Sequence, residues 1–324
     1  MSNAIQVHQT GGPEAMQWER VDVPSPGAGE VTVSHKAVGL NYIDVYFRTG
    51  AYPAPAMPLT PGMEGAGVVE ATGDGVSGLS VGDRVAYAGV LGAYAETRNI
   101  AAERVVTIPD GVSDEQAAAM MLQGMTTQYL LKRSYAVQPG DTILVHAAAG
   151  GVGLIACQWA KALGATVIGT VGNEEKAALA QANGCDHPII YTRENFVERV
   201  KALTDGEGVP VVYDSVGKDT FEGSLDCLRP LGMMVSYGQS SGKIDAFDIG
   251  VLSAKGSLFL TRPTLMTYIA KRSDLEATAN DLFDVVANGT VKISVNQTFP
   301  LADASAAHRA LEGRQTTGST VLLP

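Results

Sequence analysis

The chain has 324 residues, a 45% hydrophobic fraction, 18% charged residues and a formal net charge of −11 at pH 7. That length predicts two domains, and the acidic balance argues against general binding to nucleic acid or to an anionic membrane, whose phosphates need basic stripes. No unbroken apolar stretch is long enough to span a bilayer. The N-terminus MSNAIQVHQTGG shows no basic segment followed by an apolar core, so no secretion signal is expected. The three cysteines, Cys157, Cys185 and Cys227, lie far apart and fit reduced thiols in a cytoplasmic protein better than a disulfide framework.

In chain order, short strand patterns occupy residues 5–8, 17–21 and 30–37, with Pro24-Ser25-Pro26-Gly27 as a loop between the last two. The stretch GLNYIDVYFRTGAY starts as a turn and continues as a short helix. Residues 61–89 read as strands punctuated by glycine, 65–72 and 84–87, which suits the bends of a small, strongly curved barrel. Further strands follow within residues 94–108. Ser113 with Gln116 resembles a capping box and predicts a helix to about residue 122. Helices and strands then alternate, with strands predicted at 143–146, 167–170, 187–191, 211–215, 233–237 and 256–260. That pattern predicts a doubly wound parallel sheet of α/β class. Residues 274–288 predict a helix, and 292–295 and 319–322 predict strand ends. The α/β segment, 124–262, therefore splits a β-rich domain made of 1–123 and the return segment 263–324.

The most informative run is TILVHAAAGGVGLIACQWAKALGATVIG, residues 142–169, read as strand, glycine turn, helix 152–163 ended by Gly164, and second strand 165–170. Gly150, Gly151 and Gly153 remove Cβ atoms where the chain turns into a helix, so backbone N–H groups can approach a pyrophosphate at the positive end of that helix. A glycine trio alone is weak evidence; inside a βαβ unit of about 30 residues it is strong. An NAD site usually carries Asp or Glu about 20 residues past the first glycine. Here that place holds Thr170, Val171, Gly172 and Asn173, with Lys176 one helical turn beyond. Lys176 suits a 2′-phosphate, and NADPH is the expected cofactor. Glu174 and Glu175 pull the other way, since a small shift of the turn would bring one of them to the ribose.

GLNYIDVYFRTGAY, PGMEGAGVV, VGDRV, AAAGGVG, VVYDSVG, LRPLGMMVSYGQSSG and KGSLFLTRP occur in that order over nearly the whole chain. Together they resemble the zinc-independent quinone oxidoreductases of the medium-chain dehydrogenase/reductase superfamily. The resemblance implies a GroES-like catalytic domain with a Rossmann domain, reduction of quinones by NADPH, and a homodimer. Alcohol dehydrogenases of similar architecture hold zinc with a Cys in the first motif and a His before Glu in the second. Here the first motif has Asn41 and Tyr42, and the second reads Pro61-Gly62-Met63-Glu64. A thioether is a poor zinc ligand, no Cys precedes Cys157, and His35, His146 and His308 lack ligand spacing, so no metal is expected.

By the same resemblance Asn41, Tyr46 and Arg48 come from a short helix lining the cleft. Tyr46 is the preferred donor to a quinone oxygen, or else an amphipathic wall. Asn41 orients substrate or the nicotinamide ribose, and Asp44 holds the loop by capping. Thr126 lies near the nicotinamide phosphate, and Gly150, Gly151 and Val152 supply turn amides. Gly172, Lys176 and Tyr191 form the 2′-phosphate and adenosine pocket, with Ser215 and Gly217 on the adenine side. Gly238, Gln239, Ser241, Phe259 and Leu260 lie near the nicotinamide, and Arg314 bonds its carboxamide side or a phosphate. Two other functions share these features: reduction of an activated C=C bond in a 2-alkenal or enoyl thioester, and a non-catalytic NADPH-binding or RNA-associated protein, against which the acidity counts.

Overall fold

A computed structural model describes residues 1 to 324. The first part runs β1 (Ser2–Val7), β2 (Met16–Val21), β3 (Glu30–Leu40), α1 (Tyr42–Thr49), β4 (Glu64–Thr72), β5 (Arg84–Ala88), β6 (Thr97–Ala101), β7 (Val106–Thr107) and α2 (Asp114–Tyr129). There follow β8 (Thr142–Val145), α3 (Gly151–Ala162), β9 (Thr166–Val171), α4 (Glu174–Ala182), β10 (His187–Ile190), α5 (Phe196–Leu203) and β11 (Val209–Asp214). Next come α6 (Phe221–Asp226), β12 (Leu228–Ser236), α7 (Gly250–Ala254), β13 (Phe259–Thr261) and α8 (Leu265–Tyr268). The chain ends with α9 (Arg272–Ala287), β14 (Val295–Pro300), α10 (Ala304–Glu312) and β15 (Ser319–Leu323). Met1–Met125, Ile269–Ala287 and Ile293–Pro324 form one compact unit; Thr126–Tyr268 and Asn288–Lys292 form the other.

The first unit is built on a 7-stranded sheet ordered β14-β15-β3-β4-β5-β7, with β6 also pairing β3. Val31, Val33, Val38 and Leu40 of the long β3 are buried with Val69, Val85 and Leu322 in one core. The β3–β4 register shifts between His35 and Ala37. A Cβ on Gly67 would lie 2.0 Å from the Ser34 carbonyl oxygen, so the close crossing at that bend needs glycine.

The second unit is a 6-stranded sheet ordered β10-β9-β8-β11-β12-β13, every pair parallel. Numbered within the unit, this is the 3-2-1-4-5-6 order of the Rossmann fold, which reverses direction between β8 and β11. Leu144, Ile168, Ile189, Val212 and Met234 fill its interior. Continuous apolar runs form these strands because both faces of a parallel sheet are covered.

Several boundaries depart from the sequence reading. Helix α2 continues past residue 122 to Tyr129, ending in a π-helical turn over Leu130–Ser134. Gly124 lies inside this helix and gives Leu282 of α9 room: a Cβ there would come within 2.4 Å of that side chain. Strand β13 begins at Phe259, not at residue 256, because Gly256 (φ +108°) and Ser257 (φ +57°) form a left-handed turn. Strand β14 begins at Val295 and runs to Pro300. Helix α10 lies where the sequence carries no helical stripe, since its buried face is Ala304, Ala307 and His308 with no large aliphatic residue.

Candidate functional site

In the second unit the glycine turn lies at the C-terminal end of β8. Ala147 adopts φ +54°, its carbonyl accepts from Gly150 N at 2.9 Å, and Gly150 is the N-cap of α3. A Cβ on Gly153 would sit 2.3 Å from the Ala147 carbonyl oxygen, so the helix packs against the turn only with glycine there. Gly151 and Val152 follow as the first two residues of α3, with backbone amides at the helix's positive end. The turn sits where strand order reverses, with the positive end of α3 open to an anion.

Strand β9 ends at Val171, and Asn173 caps α4 by accepting from Lys176 N at 2.9 Å. Lys176 is half-buried. Tyr191 follows β10, is 43% exposed, and its hydroxyl would lie 3.1 Å from a Cβ on Gly172. Thr192 Oγ1 donates to the Gly172 carbonyl at 3.0 Å, tying the two strand ends together. Glu174 is ion-paired with Arg193. This pairing neutralises one of the two carboxylates that weigh against a 2′-phosphate, and adds a cation no motif marked.

The turns after β11 and β12 are stitched to each other. Ser241 Oγ donates to the Val216 carbonyl at 2.8 Å and accepts from Asp219 N at 3.0 Å. Gly217 has φ +89°, and a Cβ on Gly238 would lie 2.5 Å from the Ser215 carbonyl oxygen. Ser215 also hydrogen-bonds Tyr237, and Thr126, buried in α2, hydrogen-bonds Tyr129. Gln239 and Leu260 line a cavity of about 540 Å³ with Ser236, Phe247 and Arg262. Arg262 donates to the carbonyls of Ser236 (2.8 Å) and Gly238 (3.2 Å), fastening the end of β13 to the turn after β12. Phe259 faces outward from β13, 56% exposed.

In the first unit, α1 carries a chain of aromatic rings: Tyr46 packs against Tyr42 (centroids 5.8 Å apart) and Tyr52 (5.1 Å). The amide of Asn41 is held at both ends, donating to Glu64 Oε1 at 2.5 Å and accepting from Gln123 at 3.1 Å. Its oxygen is thereby bonded within the unit, and one amide hydrogen remains beyond those two bonds. Asp44 accepts from the Asn41 backbone N at 2.9 Å, closing the start of α1, and from the Tyr94 hydroxyl at 3.0 Å. Arg48 does not line a cleft. It is fully buried and donates to the Gly11 carbonyl, to His308 Nδ1 at 3.1 Å and to Glu312 at 2.8 Å. Burial disfavours a cationic ring, and the adjacent Arg48 charge would repel one, so the His308 pKa falls to about 3. Burial likewise pushes Asp44 up to about 7 and Glu64 to about 8. Arg314 follows α10 at φ +57°, and its charge acts on Tyr42.

A catalytic zinc does not fit these residues. Met63 is buried and its thioether is a poor zinc ligand, and no group of three or more His, Cys, Asp or Glu is arranged to hold a metal. His35 is already bonded to the Ala95 carbonyl at 2.6 Å and to Tyr87 at 2.8 Å.

A Rossmann unit with a glycine cradle, joined in one chain to a β-rich unit without zinc ligands, defines a dehydrogenase or reductase of the medium-chain class. Residues 27–110 match the alcohol dehydrogenase GroES-like domain and residues 151–288 the zinc-binding dehydrogenase family. The chain belongs to the quinone oxidoreductases of that superfamily. It is 54% identical to a quinone oxidoreductase of Pseudomonas aeruginosa, with 100% of each chain covered. It resembles the crystal structure of Escherichia coli quinone oxidoreductase complexed with NADPH at a TM-score of 0.98 and 49% identity, covering 99% and 100% of the two chains. A 2-haloacrylate reductase from Burkholderia sp is 48% identical over 100% of this chain and 99% of its own.

Proposed function

We propose that the protein is an NADPH-dependent quinone reductase working without zinc. The observation that carries this is the glycine cradle at α3 beside a β9 end with no carboxylate over Thr170–Gly172, from which the chain leads through the Asn173 cap to Lys176 in the first turn of α4. The full-length similarity to quinone oxidoreductases, one of them complexed with NADPH, supports the same reading. The turn amides of Gly150, Gly151 and Val152 bind the pyrophosphate, Lys176 the 2′-phosphate, and Tyr191 the adenosine. Ser215, Gly217, Gly238, Gln239 and Ser241 shape the turns that carry the rest of the dinucleotide, with Thr126, Leu260 and Arg314 as further contacts.

NADPH, when bound, supplies the hydride. The chain's own task is to orient the quinone and stabilise the oxyanion that develops on its oxygen. Tyr46 is the proposed donor of that hydrogen bond, and Asn41 contributes its remaining amide hydrogen to substrate or ribose. Quinones are strong oxidants, so a single hydrogen bond suffices and no side chain is indispensable as an acid.

The identity to a 2-haloacrylate reductase favours a second reading, reduction of an activated C=C bond. Steady-state NADPH oxidation with a quinone panel beside a panel of alkenals and haloacrylates decides between them. Turnover confined to the second panel would reject the quinone reading.

The proposal extends to a cytoplasmic homodimer. No helix is long and apolar enough to cross a membrane. Strand β13 ends its sheet with Phe259 exposed, an edge that antiparallel pairing with a two-fold mate would close.

A further inference from the structure

We propose that His146 is a positioning residue for NADPH: with Thr170, Ser224 and Asp214 it forms a buried clasp that sets the spacing of three turns holding the cofactor. The proposal rests on the NADPH reading above. Strands β9, β8 and β11 are neighbours in the sheet, and each sends a turn from its C-terminal end. His146 is the first residue after β8. Its N–H donates to the Tyr213 carbonyl at 3.0 Å, and the next residue, Ala147, opens the glycine turn. The imidazole bonds β9 on one side and α6 on the other, with Nδ1 2.8 Å from Thr170 Oγ1 on β9 and Nε2 2.9 Å from Ser224 Oγ on α6. Ser224 Oγ in turn donates to Asp214 Oδ2, at the end of β11, at 2.9 Å.

The proton positions follow from counting donors. Ser224 has one hydroxyl hydrogen and gives it to Asp214, so its oxygen accepts from Nε2–H of the ring. Nδ1 is then bare and accepts from the Thr170 hydroxyl. Every bond points the right way for a neutral imidazole. Burial supports that state by holding the His146 pKa below its ordinary value. Phe196 packs edge-on at 5.1 Å and fixes the ring plane.

Asp214 passes the constraint on. Its Oδ1 accepts from Val216 N (2.7 Å) and Gly217 N (3.0 Å), and its Oδ2 accepts also from Thr220 Oγ1 at 2.7 Å. On the other side, the Thr170 carbonyl accepts from Ala148 N at 3.1 Å, inside the glycine turn. The clasp therefore joins the phosphate cradle, the strand end that leads to Lys176, and the Ser215–Gly217 turn. None of its side chains needs to touch a reacting atom. Loosening it costs preorganisation of the cradle, which lowers affinity for NADPH and spares turnover once the cofactor is bound.

The test uses Ser224→Ala, Thr170→Val and His146→Asn in the full-length protein. NADPH Kd is read by fluorescence titration, KM and kcat with a quinone, and Tm by calorimetry. Ser224→Ala and Thr170→Val each raise Kd and KM for NADPH about fivefold or more, the effect of one lost hydrogen bond. Their kcat stays within about twofold, and Thr170→Ser restores Kd. Should His146→Asn fail to fold, the two hydroxyl variants decide alone. A fall in Tm with NADPH Kd and KM unchanged in both hydroxyl variants overturns the proposal, leaving a purely structural network. Wild-type protein without affinity for NADPH overturns the NADPH reading itself, and the clasp with it.

Discussion

Replacing Lys176 by Ala tests the cofactor assignment most directly. Lys176 is the third residue of α4, its backbone already held by the Asn173 cap, so the substitution leaves the helix start intact. A charge-assisted hydrogen bond contributes about 1.5–3 kcal/mol, which raises the KM for NADPH roughly ten- to over a hundredfold. Arg193 is the neighbouring cation, but it is exposed and ion-paired with Glu174. An exposed pair is worth about 1 kcal/mol or less, so Arg193→Ala raises the same KM by no more than about fivefold. Glu174→Ala removes the anion and frees Arg193, and lowers the KM for NADPH by a similar factor. KM and kcat are measured with NADPH and with NADH at saturating quinone, and NADH values stay within about twofold in all three variants. Equal losses with both cofactors on Lys176→Ala, or a larger effect from Arg193→Ala, would refute the reasoning.

Tyr46→Phe lowers quinone turnover by less than about tenfold, as one hydrogen bond of roughly 1 kcal/mol allows; a loss of several thousandfold at unchanged Tm would make Tyr46 an essential proton donor and favour the C=C reading. Burial raises Asp44 from 3.8 to about 7, so the folded chain keeps a proton that the unfolded chain releases. The stability from this is full below about pH 4 and lost as pH rises to 7, about 4 kcal/mol in all. Asp44→Asn loses this contribution while Glu64, raised to about 8, keeps its own, so the variant's stability falls less than the wild type's between pH 4.5 and 7.5 in urea unfolding; parallel pH profiles would contradict it. Elemental analysis finds no stoichiometric zinc and a chelator leaves activity intact, whereas about one zinc per chain with activity lost on chelation rejects the reading of Met63. Light scattering finds a dimer that Phe259→Asp weakens. A wild-type mass near 33.8 kDa would sink the dimer. Ser257 offers no such test, because it lies in the left-handed turn before β13 and its N–H donates to the Ser253 carbonyl at 3.4 Å.

The sequence by itself determined the class and the cradle. Apolar runs of four to six residues separated by helical patterns permit little except a covered parallel sheet, and a glycine trio between strand and helix has one efficient use. The resemblance in motif order likewise sets Met63, a poor zinc ligand, at the position where zinc-dependent relatives carry a histidine, which is legible without the fold. Tertiary structure decided how the polar side chains pair. By resemblance Arg48 belongs to a helix lining the cleft, yet it lies buried against His308, 260 positions away along the chain. Asn41 reads as free to meet a ligand, yet Glu64 and Gln123 bind it. Arg262 and Arg193 carry no pattern at all, and His146 reads as an ordinary core histidine until Thr170, Ser224 and Asp214 are brought around it. The reason is the range of the forces involved. Burial of apolar surface writes a periodic signal into neighbouring residues, whereas a buried hydrogen bond needs only one donor and one acceptor, which the fold can supply from any two points of the chain.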